Sequence, residues 1–400
     1  MGTYTINLKD KQKTIDAESE DLYEQLLELS CSFRTFEEGL DEIIREHGYD
    51  GELTDVSGKT AFLKSSFKKA GVPIPREIDK WYLEHMIIKR PTAFRLCFAL
   101  NMKLYEVNDF FQRILMERSF DCHDVIELVY YYCFYNGKGY QEAESILKKV
   151  TVFKTKDRVD LNKIDTIIYT EVIRDDVEEI CSDEELITYI NENRERFRYN
   201  NARGTETVQG LWYGKKNIPG TRELALKESE AFDMSDYGVH LSDQKKNYKL
   251  ISEHDVYLAI FDFEPQSAAK VFNDRSIIPI LRNLHPMIRD CFPSRESLTK
   301  ILNRRKVNYE TIRKMIIFLA FYNYWADWKL KNRSNPPDKD THRRYEDQMY
   351  NYLIDAGFDE LYLGNPYDFI FLFCNTQDDP LDTFRIIMGE LLEKADRPTG

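Results

Sequence analysis

Four hundred residues exceed the length at which one hydrophobic core usually stops growing, so more than one domain is expected. With 42% hydrophobic and 13% aromatic residues, the chain carries enough apolar surface to offset the entropy of ordering its backbone, which excludes a disordered tail. The formal charge of −13 is uneven: residues 1–60 hold 15 Asp/Glu against 6 Lys/Arg and repel nucleic acid, whereas residues 293–314 hold seven Lys/Arg against two Asp/Glu and are the first place to expect a phosphate contact.

In chain order, residues 3–8 read as β-like. From 18 to 47, Leu22, Leu26, Leu27, Leu29 and Phe33 recur at three- and four-residue spacing and predict a helix that Gly48 and Gly51 end. A second helix fits 60–70, with Gly71 as its stop and Pro73 and Pro75 barring continuation. Residues 76–150 are helical almost throughout. A connector or short strand follows at 151–164, where a boundary falls. Ser182-Asp-Glu-Glu185 has the form of a capping box and opens a helix to about Arg196. Between 204 and 247, Gly204, Gly210, Gly214, Gly220 and Gly238 stand among many charges and predict long loops around short helices. Packed structure resumes over 255–263 and 277–289. The remainder is helical except for the polar loop 332–341, where Asn335-Pro336-Pro337-Asp338 cannot continue a helix.

The seven cysteines are odd in number, scattered and never spaced as CxxC, which points to reduced thiols and against zinc. The polar N-terminus is unlike a signal peptide, and no apolar run approaches the roughly 18 residues of a membrane span, so a cytoplasmic protein is expected. Gly2 does not complete a myristoylation signal, because Ile6 stands where Ser or Thr is required.

Two stretches look related. One reads Arg76-Glu-Ile-Asp-Lys and then Lys89-Arg90-Pro91 through Asn101; the other reads Arg295-Glu-Ser-Leu-Thr-Lys and then Arg305-Lys306-Val307-Asn308 through Asn323. Each leads into an amphipathic helix (107–115; 349–356), a turn, and an aromatic-rich helix opening with Asp124 or Asp368. Duplication predicts two similar helical lobes; chance similarity between helical sequences is the rival explanation.

Lys89-Arg90-Pro91-Thr92, a helix over 93–100 and the stretch from Asn101 to Phe110 have the layout of a basic turn, a packing helix and a second short turn. In this each half resembles the lambda-repressor-like, or XRE-type, helix-turn-helix family, over a small part of the chain. The resemblance implies recognition helices at 76–85 and 294–303. The first carries Glu77, Asp79 and Glu84 beside Arg76 and Lys80, a poor surface for phosphates, which implies a packing or protein-contact role. The second implies a DNA surface: Ser294 caps the helix, Arg295, Ser297 and Lys300 project over about two turns, Arg295 and Lys300 face base edges, and Arg304, Arg305 and Lys306 meet the backbone. The competing reading is that these cations simply solvate a helix end and stabilise its dipole. As a whole the chain resembles uncharacterised helical proteins of bacterial mobile elements.

No GxxxxGK[ST], GxGxxG, HExxH, GxSxG or EF-hand pattern occurs, so a non-enzymatic protein without cofactor or metal is expected. Arg118 and His123 share the spacing of the pair in HEPN-type ribonucleases, yet they read as part of a turn, leaving a ribonuclease as a distant third reading. Three aromatic blocks, 130–135, 318–328 and 369–374, lack interleaved Lys/Arg and read as core rather than base-stacking platforms. Tyr130, Tyr131, Tyr132 and Tyr135 circle their helix, more than one buried face requires, so one side is expected to meet a protein partner or a second copy.

The sequence therefore predicts a mainly α fold: an N-terminal helical lobe over 1–150 with a degenerate helix-turn-helix at 76–115, a less regular middle over 151–280, and a basic C-terminal lobe over 281–400. The expected function is that of a regulatory or accessory protein binding a macromolecule, with DNA contacted through 294–306. A helical protein–protein adaptor is the alternative.

Overall fold

The computed structural model describes residues 3–84, 86, 88–150, 170–197, 201–231, 253–261, 295–332 and 335–396. Among the described residues there are nineteen α-helices and one short 3-10 turn, Arg194–Phe197, and the only β pairing is an isolated bridge between Lys215 and Ile218. The fold is mainly α. The described residues form two compact units, one drawn from 34–200 and the other from 1–33 together with 201–400. They are called here the inserted and the terminal unit. This division replaces the expected two lobes and connector.

In the inserted unit the helices are α3 (Phe36–Glu46), α4 (Val56–Lys69), α5 (Lys80–Leu83), α6 (Arg90–Ala99), α7 (Leu104–Arg113), α8 (Val125–Tyr135), α9 (Tyr140–Leu147), α10 (Thr170–Glu178) and α11 (Asp183–Glu192). Local chemistry sets their ends. Thr35 accepts the Glu38 N–H and the Glu38 carboxylate accepts the Thr35 N–H, a reciprocal cap that starts α3 afresh and breaks the single helix predicted over 18–47. Gly71 takes φ +67° beyond α4, the left-handed stop its sequence position predicts. Ser182 caps α11 by accepting the Glu185 N–H. The core runs through α3, α4 and α6 to α9, with Phe98 stacked on Phe134 at 4.2 Å.

The terminal unit comprises α1 (Thr3–Gln12), α2 (Leu22–Ser30), α12 (Ala202–Tyr213), α13 (Thr221–Ala231), α14 (Glu253–Phe261), α15 (Arg295–Leu302), α16 (Tyr309–Asn332), α17 (Lys339–Asp355), α18 (Pro366–Cys374) and α19 (Pro380–Asp396). Residues 3–8 are thus helical rather than β-like. Leu8, Leu22, Leu26, Leu29 and Phe33 enter the same core as α16, and Phe33 meets the Phe369 ring edge-on at 5.5 Å, so the first 33 residues belong with the C-terminal helices.

Helix α16 is hydrophobic nearly all round and is buried accordingly, with α12, α13, α15, α17, α18 and α19 packed on it. Of the glycines read as loop signals, Gly214 and Gly220 do lie in the turn between α12 and α13, whereas Gly204 and Gly210 fall inside a helix. Gly204 lies within α12, where a Cβ would sit 2.8 Å from Ile312, so the glycine permits close approach to α16. The expected packed segment at 277–289, the connector 151–164, Gly238, Cys291 and the Ser294 cap lie outside the described residues.

Two buried ion pairs fasten this unit. Arg313, near the start of α16, donates to both oxygens of Asp368 in α18 at 2.8 and 2.7 Å and to the carbonyls of Asp359 and Glu360. Arg385 of α19 donates to both oxygens of Glu228 in α13 and to the last carbonyls of α14 at Ala259 and Ile260, while the Tyr322 hydroxyl donates to the same carboxylate. Glu228 is 1% exposed, and removing it leaves a buried guanidinium and hydroxyl without their acceptor. Glu228→Ala should therefore lower stability by about 3–5 kcal/mol in urea unfolding, whereas Glu230→Ala, on the exposed side of the same helix, should stay within about 0.5 kcal/mol of wild type.

Candidate nucleic-acid interface and the arginine clasp

The basic segment is built on a short helix held by two side chains. Leu298 and Ile301 are buried, which turns Arg295, Glu296 and Asn303 of α15 and its end toward solvent. The Gln209 side chain of α12 donates to the Leu302 carbonyl at 2.9 Å and anchors the C-terminal end. The Arg304 N–H then reaches Ile301 O at 2.9 Å and the Arg305 N–H reaches Lys300 O at 2.8 Å, the paired bonds that close a helix when the next residue is left-handed. That residue is Arg304, at φ +56°. A non-glycine there costs backbone energy of order 1 kcal/mol, yet the position holds a long cation. Arg304, Arg305 and Lys306 are exposed in succession.

The structure narrows the basic surface. Lys300 pairs with Glu296 one turn back at 2.5 Å, and Arg313 is buried against Asp368, so it cannot meet a phosphate. The turn between α15 and α16 spans six residues, 303–308, longer than the three or four of a simple helix-turn-helix, and α16 is the central helix of its unit rather than a short packing helix. Over the described residues 76–84 no recognition helix forms. Only α5 is helical there, Ile78, Trp81 and Tyr82 are buried, and Lys80 pairs with Glu77 and Glu84.

Arg118 and His123 have structural partners. Arg118 contacts Asp121, and His123 Nδ1 lies 2.7 Å from the Arg196 carbonyl. Both sit beside a clasp that sequence reasoning missed. Arg90 at the start of α6 donates to both oxygens of Glu127 in α8, at 2.6 and 2.7 Å, and to the carbonyls of Arg118 and Ser119; Glu127 in turn accepts the Asp121 N–H. Burial raises the Glu127 carboxyl even against Arg90. Asp121 goes the other way. Burial alone would raise it, but the Arg118 guanidinium and then His123 overcome that and hold it below the usual carboxylate range.

The tyrosines expected to meet a partner are mostly consumed internally. Tyr130, Tyr131 and Tyr132 are buried, with the Tyr131 hydroxyl on Glu178 and the Tyr132 hydroxyl on Asp183. Helices α10 and α11 thus cover the side the sequence left without a neighbour. Only Tyr135 is exposed. A cleft of about 360 Å3 beside α16 and α17 is lined by residues including Tyr324, Trp328, Asp338 and Arg344. Its acid is engaged in capping α17, where Asp338 accepts the Thr341 N–H and hydroxyl.

Among the described residues no group of His, Cys, Asp and Glu could hold a metal ion, and no helix is long and apolar enough to cross a membrane. No protein-family model, curated protein or solved structure matches the chain.

A depressed Asp121 carboxyl contributes stability that is present above its unfolded value and is lost as pH falls through the folded one. Arg118→Ala should move the Asp121 titration, followed by carboxyl carbon NMR, upward and make acid unfolding of the inserted unit begin at higher pH. An unmoved titration would remove Arg118 from the account.

Proposed function

We propose that the chain is a non-enzymatic regulatory or accessory protein that binds a macromolecular polyanion, DNA first, through the basic turn after α15. The observation that carries this reading is Arg304, held left-handed so that Arg304, Arg305 and Lys306 project consecutively from a helix end, where glycine would be the cheaper residue. Three phosphate contacts in a chain of net charge −13 make binding local and steeply salt-dependent, with a slope of log K against log salt of roughly −2.7 for duplex DNA. A protein partner without nucleic acid is the second reading, favoured by Ile74, Leu83 and Met86, large apolar residues exposed before, at the end of and after α5.

Gel-shift titration against random duplex DNA at low and physiological salt tests the first reading. Binding by the wild type should fall steeply with salt, and Arg304→Ala/Arg305→Ala/Lys306→Ala should abolish it. Arg304→Gly should separate fold from function, keeping or raising stability by up to about 1 kcal/mol in urea unfolding while weakening DNA binding. Absence of binding at either salt, or binding indifferent to the triple change, would transfer the proposal to the protein partner.

A further inference from the structure

Positions 241 residues apart in this chain do the same things in the same order. Met116 and Gly357 are both left-handed, at φ +54° and +79°. Two residues on, the carbonyls of Arg118 and Ser119 accept from Arg90, as those of Asp359 and Glu360 accept from Arg313. The N–H groups of Asp121 and Tyr362 donate to the clasp carboxylates, Glu127 and Asp368, at 2.6 and 2.9 Å.

The agreement continues into the helices. The N–H groups of Asp124 and Asn365 close equivalent turns onto Asp121 O and Tyr362 O, and both side chains cap their helix by accepting the N–H two residues on. Cys133 and Cys374 are buried at the same depth of α8 and α18. In the following helix Tyr140, Ala143 and Ile146 are buried in α9, and so are Leu381, Phe384 and Ile387 in α19. The register therefore holds without a break from 116 to 147 and from 357 to 388.

The arginines stand two helices earlier, on α6 and α16, and eight residues after each is a phenylalanine. Phe98 meets the Tyr130 ring edge-on at 5.3 Å, and Phe321 meets the Phe371 ring edge-on at 5.2 Å; Tyr130 and Phe371 are again 241 apart. A slip of one residue in either copy would break every one of these correspondences, so generic packing of helical hairpins does not account for them.

We infer that residues 90–147 and 313–388 are two copies of one helical module, related by internal duplication and defined by the arginine clasp. The lengthening of α16 and α17 relative to α6 and α7 absorbs the different spacing of the arginines. The register differs from the one the sequences suggest: Asp124 corresponds to Asn365, and it is Glu127 that corresponds to Asp368. The inference is independent of DNA binding and sorts the candidate residues. Arg118 and His123 correspond to Asp359 and Gly364, so the clasp forms without them and they are additions of the first copy. Both copies need the clasp; the exposed turn Arg304-Arg305-Lys306 precedes the terminal copy.

Amide hydrogen exchange on the full chain tests this with Arg90→Lys and Arg313→Lys, because an ammonium cannot bridge a carboxylate and two carbonyls as a planar fork does. Arg90→Lys should speed exchange at Asp121, Asp124 and Leu128 by about tenfold or more, and Arg313→Lys should do so at Tyr362, Asn365 and Phe369. If Arg313→Lys does not fold, Asp368→Asn reads the same set. Sets that do not correspond across 241 residues would overturn the duplication. So would an experimental structure of the wild type in which 116–147 and 357–388 fail to superpose helix for helix with coincident clasp atoms.

Discussion

A guanidinium carries five donors and does not lose its charge, so an arginine taken out of water must find a fixed set of acceptors. In each unit that set includes one bidentate carboxylate and two consecutive loop carbonyls, and Arg90 also reaches the Glu117 carboxylate at 3.3 Å. The carboxylate also takes a backbone N–H, so a single charge pair fixes the loop, the start of the following helix and the helix that bears the arginine. The aromatic helices α8 and α18 are positioned by this arrangement. The two clasps differ in their surroundings: in the terminal unit Arg313 and Asp368 are sealed, at 7% and 0% side-chain exposure, whereas Arg90 is 22% exposed and Arg118, Asp121 and His123 form a further polar layer reaching Arg196.

This sets what is left for function. The clasp residues are occupied in holding backbone, and the hydroxyls of Tyr131 and Tyr132 in α8 in bonding the Glu178 and Asp183 carboxylates. The polar groups that are exposed without such duty include the arginines of the turn after α15, which sits on an anchored helix end in a strongly acidic protein. Under the proposed function, a small basic projection on an acidic body confines phosphate contact to that turn.

The helical class was legible from apolar spacing, and several ends were legible from their chemistry: Gly71 after α4, Ser182 before α11 and the proline-bearing turn before α17. The reading failed where one residue type has two uses. Glycine is common in turns, but within a helix it also permits close packing, as Gly204 of α12 does against Ile312 of α16, and only the partner helix distinguishes the two uses. Arg313 belongs to the basic stretch 293–314 in sequence but is buried against Asp368, since charge in sequence says nothing about burial. The clasps were not visible for a related reason: Arg90 and Glu127 are 37 residues apart, Arg313 and Asp368 are 55 apart, and neither pair belongs to a local motif. The likeness of the two halves was visible, but its register was not, since capping Asp124 and clasping Asp368 are the same residue type in different roles.

The claim on which the rest depends is that the clasp carries energy and is not merely well formed. A double-mutant cycle of Arg313→Met and Asp368→Leu in the full chain, read by urea unfolding of the terminal unit, measures it directly. The account predicts a coupling of about 2 kcal/mol or more, with each single change costlier than the double, because either alone strands a buried charge. Additive effects, with coupling below about 0.5 kcal/mol, would contradict it.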